Sequence, residues 1–306
     1  MRHPRLLTTW IVCAAATTFA ATRADAGPTF VIDFKTASAA ETTAITGDKV
    51  GAFDAAAFGF TTDAARGALI DSVMTALRSA FYDIPTVGMD GRSPIADGKM
   101  LDVDFIAGTI GQAPSNGATE YYFVQVGSAV SGPNTGGGTL GVAGLNAVRR
   151  ASGAVGGWGV GSVVASIFTD AIQNIGGLTP SNALKSGDLA YSTNAIVGTV
   201  AHEIGHTLSL EHEKAAGAIT PSGVAPMLGT GAIDLPNQAR ISPREFSYTS
   251  YKSNGNEQHQ IAQLVGALGL RDRDQPAVPE PAALAQAATA LALAAGALLT
   301  RRRVAA

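Results

Sequence analysis

The stretch that decides the fold is "TVAHEIGHTLSLEH", Thr199 to His212, which holds three of the five histidines of a 306-residue chain. A helix turns about 100° per residue, so His202 and His206 leave the same face one turn apart and can bring two imidazoles to one cation. Ile196, Val200, Ile204 and Leu208 draw a separate apolar stripe, so one side of this helix is expected to be core and the other to face a site. Ser192, Thr193 and Asn194 are the candidates for its N-cap. His212 lies six residues beyond His206. On a continuing helix that is about 240° away, so His212 joins the pair only if the chain stops and turns near Ser209. Glycine takes the left-handed conformation of such a turn freely, whereas serine there costs on the order of 1 kcal/mol.

Three protein ligands leave one tetrahedral position of a zinc ion open to water, the pattern of a catalytic rather than a structural site. Glu203 adjoins the first histidine but points elsewhere, so it is placed to take a proton from that water and pass it to a leaving amine. A histidine pair of this spacing also arises by chance on ordinary amphipathic helices. His212 at its offset and the apolar stripe on another face are what favour a metal site. His3 and His259 are the remaining histidines, too few for a second, structural zinc.

Outward from this motif, "TFVIDFK" (Thr29 to Lys35) reads as a strand. From Thr61 to Tyr82, Ala65, Leu69, Val73, Leu77 and Phe81 recur at spacing four and predict an amphipathic helix. "MLDVDFIAGTI" (Met100 to Ile110) and "EYYFVQVGS" (Glu120 to Ser128) alternate and read as two further strands. Between Ser131 and Gly161 the chain is glycine-rich, which predicts mobile surface loops around a short strand near Thr139 to Ala143. "SVVASIF" (Ser162 to Phe168) is another strand, and Ile261, Leu264, Val265 and Leu268 give a last helix its apolar face.

The two ends read as addressing segments. Arg2, His3 and Arg5 precede an apolar run and "ADA" at Ala24 to Ala26, which predicts a secretory signal over 1–26; a retained anchor is the alternative. Cys13, the single cysteine, lies within it, so the mature chain has neither disulfides nor a thiolate-bound metal. A net charge of −3 with 15% charged residues offers no basic footprint, so nucleic acid is not an expected partner. After "VPEP" (Val278 to Pro281), an apolar stretch from Ala282 to Thr300 ends in Arg301, Arg302 and Arg303. Its length and flanking charge suit a bilayer-crossing segment, with an alanine-rich tail helix as the alternative.

These motifs carry two resemblances. "HEIGHTLSLEH" resembles the zinc signature of the metzincin metalloproteases, its "HEIGH" most similar to the matrixin branch, and "SGVAPMLG" offers Met227 for the methionine turn of that family. The resemblance implies an α+β fold, a twisted mixed sheet packed on an N-terminal helix and an active-site helix, with a mostly irregular C-terminal subdomain ending in a helix. It implies one catalytic Zn2+ on His202, His206 and His212, Glu203 as general base, and a protein or peptide substrate laid along an edge strand formed by "GGGTLGVAG" (Gly136 to Gly144). Ser209 departs from the family's glycine. Ca2+ has only Asp33, Asp102 and Asp104 as candidates, and strand aspartates are more often solvated.

The proline-glutamate-proline motif, apolar segment and arginine cluster resemble the PEP-CTERM sorting signal of Gram-negative bacteria. That implies an exosortase-type partner, at least transient membrane anchoring, and delivery to the cell surface or extracellular matrix. The chain thus divides into a signal (1–26), a catalytic domain (27–275) and a sorting segment (276–306). A secreted zinc endopeptidase is the expected function; a catalytically inactive surface or matrix protein of the same fold is the alternative.

Overall fold

"TFVIDF" forms β1 (Thr29–Phe34), buried at every residue. It sits between two parallel neighbours, and strands covered on both faces read as continuous apolar runs rather than as alternations. The structure, a computed structural model, describes residues 27–36, 41–44, 46–136, 138–148, 159–178, 182, 185–230 and 235–273. The expected signal and sorting segments lie outside the described residues. Among the described residues, no helix is long and apolar enough to cross a membrane.

The remaining strands of the main sheet are β2 (Asp104–Ala107), β3 (Tyr121–Gly127), β4 (Gly141–Ala143) and β5 (Val163–Phe168). Their order is β2-β1-β3-β5-β4, and β4 alone, one of the two edge strands, runs antiparallel to its neighbour. The protein is therefore mixed α+β. Helix α1 (Asp63–Tyr82) begins at Thr62, whose hydroxyl accepts the Ala65 N–H. The predicted stripe is the buried one: Leu69, Val73, Leu77 and Phe81 are wholly covered, and Ala65 packs against the same core. The Phe81 ring lies 4.9 Å from Phe105 of β2 and 5.0 Å from Phe246, joining sheet, helix and C-terminal region.

The stretch expected as one strand from Met100 to Ile110 is instead two. Lys99–Leu101 pairs with Leu270–Asp272, then the chain changes sheets into β2. The break falls at Asp102, whose carboxylate is turned inward to accept the Gly27 N–H while its own N–H donates to Gly269.

Helix α2 (Thr169–Gly176) follows β5 and leads to α3 (Leu189–Thr207), which carries the histidines. Its N-cap is Asp188, which accepts the Tyr191 N–H; Ser192 and Thr193 are buried within the helix rather than capping it. Nor does α3 divide into a core side and an open side. Almost every residue from Ser192 to Thr207 is buried, because the helix packs against α1 and the sheet at once.

Beyond it, β6 (Glu213–Ile219), β7 (Thr249–Lys252) and β8 (Glu257–Gln258) form a small antiparallel sheet, followed by α3's successor α4 (Gln260–Leu268). The C-terminal subdomain is more regular than expected. Among the described residues it ends not in a helix but in a strand, Leu270–Asp272, which returns to pair with Lys99–Leu101.

Candidate metal centre

By propensity α3 is a poor helix: it is rich in β-branched residues and contains Gly198 and Gly205, each costing about 1 kcal/mol relative to alanine. Burial overrides this, and the glycines mark close approaches. A Cβ at Gly205 would stand 3.3 Å from both the Leu210 and Leu228 side chains; at Gly198 it would stand 2.1 Å from Nη2 of Arg244.

Helix α3 stops at Leu208. Ser209 takes φ 75°, its N–H donates to His206 (3.0 Å), and the Leu210 N–H donates to Gly205 (2.9 Å). These are the two reverse hydrogen bonds of a Schellman C-cap, with serine in the left-handed position usually given to glycine. Two more bonds secure the end: Asn146 N–H to the His206 carbonyl and Val148 N–H to that of Thr207. This part of the glycine-rich segment is accordingly no surface loop, for Ala147 and Val148 are buried. Residues 149–158 of that segment lie outside the described residues.

The reversal carries His212 back to the other two imidazoles. Ring centroids lie 4.7 Å (His202 to His206), 5.1 Å (His202 to His212) and 4.6 Å (His206 to His212) apart, and one nitrogen of each ring lies within 4.8 Å of the others. Nδ1 of His202 faces the Met227 carbonyl at 2.9 Å, and Nδ1 of His206 faces the Leu210 carbonyl at 2.7 Å. A carbonyl only accepts, so each Nδ1 carries the proton. Both Nε2 atoms then present lone pairs, and they face one another at 3.1 Å. Two opposed lone pairs repel, and a cation shared between them removes the conflict.

The three imidazoles suit a metal ion. Zn–N bonds of about 2.0–2.1 Å in a tetrahedron would place nitrogens about 3.3 Å apart; the Nε2 atoms of His202 and His206 stand 3.1 Å apart, and a nitrogen of His212 lies within 4.8 Å of each. Burial holds the His202 imidazole well below its usual basicity, pushes His206 down to about 4, and lowers His212. All three are thus neutral near pH 7, the state that ligates metal. His202 is buried, His206 half-buried and His212 exposed, so the centre opens to solvent on the His212 side.

Glu203 lies against β4. A Cβ on Gly141 would come within 2.8 Å of its Cγ and 2.9 Å of Oε1, so only glycine lets the carboxylate sit at this sheet edge. Burial raises its carboxyl to about 8, with the Arg244 charge opposing. A divalent cation on the neighbouring imidazoles favours the carboxylate.

Met227 lies beside the first histidine. Its side chain is buried, its N–H donates to Glu245 (2.7 Å), and its carbonyl orients His202. Glu213 and Arg244 escaped the reading of the sequence. Glu213, wholly buried beside His212, accepts the Leu228 N–H (3.0 Å) and the Ser247 hydroxyl (2.8 Å), tying the third histidine to the segment that holds Met227. Its adjacency to His212 was the available signal; Arg244 had none, because only the tertiary fold brings it to α3.

The calcium candidates are structural rather than solvated. Asp33 is buried and accepts the Ile110 N–H, while Asp102 and Asp104 face Arg271 at 3.7 and 2.7 Å. Among the described residues, the metal-ligating side chains that gather closely enough to share an ion are the three histidines. His259 stays apart and exposed, its Nδ1 beside the Tyr248 carbonyl.

No family model matches the chain, and no curated protein matches it. Solved structures do: 11 chains match, among them one described as the GM1 bound form of the ECX AB5 holotoxin. That chain is 12% identical, with 79% of this chain and 81% of that one covered, at a TM-score of 0.29. Similarity at this level carries no argument about site or activity.

Proposed function

We propose that this protein is a zinc-dependent endopeptidase of metzincin type, with His202, His206 and His212 as ligands and Glu203 as general base. The observation that carries the reading is the pair of opposed Nε2 lone pairs at 3.1 Å with a third imidazole beside them, an arrangement that calls for a cation. The metzincin assignment draws support from the order β1, α1, β2, β3, β4, β5, α3, from the antiparallel edge strand β4, and from the Met227 carbonyl facing His202. When bound, zinc supplies a Lewis acid that polarises a carbonyl and makes water a stronger acid.

The chain's own residues supply the rest. β4 offers an outer edge along which an extended peptide can add as a further strand, read through its backbone. Glu203 packs on that same strand, beside the first ligand, where it takes a proton from water and returns it to the departing amine. The carbonyls of Met227 and Leu210 hold two imidazoles in the ligating tautomer, a task whose loss elsewhere costs about 10- to 100-fold in metal affinity. Export, and sorting to the surface by an exosortase-type enzyme, belong to the same proposal and rest on the terminal motifs.

The alternative is a catalytically inactive surface or matrix protein of the same fold, which would bind zinc and cleave no peptide. Purified protein spanning residues 27–273 is expected to bind one zinc ion and to cleave casein, and Glu203→Ala to keep the metal while losing cleavage. A protein without zinc, or a variant cleaving as fast as the parent, would sink the proposal.

A further inference from the structure

A cavity of about 270 Å³ lies behind the methionine turn, between α1, the first half of α3 and the segment Pro243 to Phe246. Its wall is largely apolar, with Ala76, Ala80, Val197 and Phe246 among the lining residues, and Arg244 is its buried cation. Only 7% of Arg244 is exposed. Nη1 reaches the Met227 carbonyl at 3.4 Å, whereas Nε and Nη2 have no hydrogen-bond partner.

An uncompensated buried charge costs several kcal/mol or more, which is why buried arginines are almost always paired. Here the available acids are otherwise engaged. Of those lining the cavity, Asp83 bonds Ser79 and Arg273, and Glu245 accepts the Ser222 N–H. Glu203 exerts an attraction on Arg244, but no ion pair joins them among the described residues. Arg240 makes matters worse: its charge acts on Arg244, and its own Nε is buried without a partner. The guanidinium also depends on Gly198, since any Cβ there would collide with it. Space, positive charge and unused donors therefore coincide at one place.

We propose that this cavity binds a carboxylate carried on a compact apolar stem, with Arg244 as its counter-ion. The class follows from the lining: one cation calls for one anion, and the apolar walls call for a short hydrocarbon stem. The volume lies below the about 300–1,000 Å³ of cavities that take larger ligands, which fits a single side chain or a small free acid rather than a cofactor. The proposal is independent of peptide hydrolysis and is tested by binding alone.

Calorimetry on the zinc-loaded protein, with butyrate against butanamide and acetyl-glutamate amide against acetyl-glutamine amide, reads it out. Each carboxylate is expected to bind with a Kd on the order of 1 mM or tighter, and each neutral amide at least about 10-fold more weakly. Tighter binding of acetyl-glutamate amide identifies a peptide side chain as the natural source; equal or tighter binding of butyrate identifies a free acid. Both Arg244→Met and Ala80→Leu, which fills the cavity from α1 and leaves the arginine in place, should abolish the preference. No carboxylate binding, or binding that survives both substitutions but is lost in His206→Ala, overturns the proposal by assigning the anion to the metal.

Discussion

The two glycines of α3 admit opposite chemistry. Around Gly205 the helix end is fully satisfied: the turn closes its hydrogen bonds, two leucines pack on the missing Cβ, and carbonyls hold the imidazoles so that their lone pairs converge. Around Gly198 the missing Cβ admits a guanidinium with two nitrogens bare. On the two proposals above, one half of the helix would serve a cation and the other an anion. A glycine inside a buried helix thus marks a close approach, and the approaching group decides what can bind there.

The largest test separates chemistry from metal binding at the satisfied end. Glu203→Gln keeps the shape and its packing on Gly141 but removes the base, so peptide cleavage should fall by about 10²- to 10⁴-fold while bound zinc is unchanged. Loss of zinc along with activity would mean that Glu203 supports the site rather than the reaction.

Metal removal is next in size. If the opposed Nε2 atoms are held together by zinc, chelation should lower the stability of the protein, by about 2.7 kcal/mol relative to a metal concentration of 100 times Kd. Thermal unfolding with and without chelator reads this directly. An unchanged melting temperature would break the comparison at its cation end.

Much of this arrangement was legible in the sequence, for identifiable reasons. The stripe of α1 and the four-residue spacing of His202 and His206 follow the helical period, and the β-rich composition of β1 is local, so each can be read in one dimension. What escaped was decided by contacts distant in sequence. Met100 to Ile110 reads as one β-rich stretch, yet the chain breaks at Asp102, because Gly27 and Gly269 claim its polar groups. Ser192, Thr193 and Asn194 are good caps by type, but Asp188 captures the helix start and tertiary packing buries Ser192 and Thr193 within it. Arg244 carried no local signal at all.

At the unsatisfied end, Arg244→Met keeps the length of the stem and removes a charge that has no counter-ion. The ligand-free protein should gain about 1–4 kcal/mol, read as a higher denaturant midpoint. A loss of stability instead would mean that the bond to the Met227 carbonyl outweighs the burial cost, and the two halves of α3 would then differ less than proposed.

The smallest effect belongs to Ser209. Its φ of 75° costs a non-glycine residue on the order of 1 kcal/mol, while glycine gives back about 0.4–1 kcal/mol through greater freedom of the unfolded chain. Ser209→Gly should therefore stabilise only slightly, by about 0.5 kcal/mol or less, and leave zinc content and cleavage as they are. Ser209→Val is the sharper partner, because a β-branched residue in the left-handed region is a genuine outlier. It should loosen the turn and weaken zinc binding through His212 and through the Leu210 carbonyl that orients His206, while sparing the Nδ1 contact of His202 with Met227. If valine left zinc affinity untouched, the reversal at Ser209 would be fixed by the bonds from Asn146 and Val148 and by Glu213, and the local conformation of the turn would be a consequence of those contacts rather than the cause of the third ligand's position.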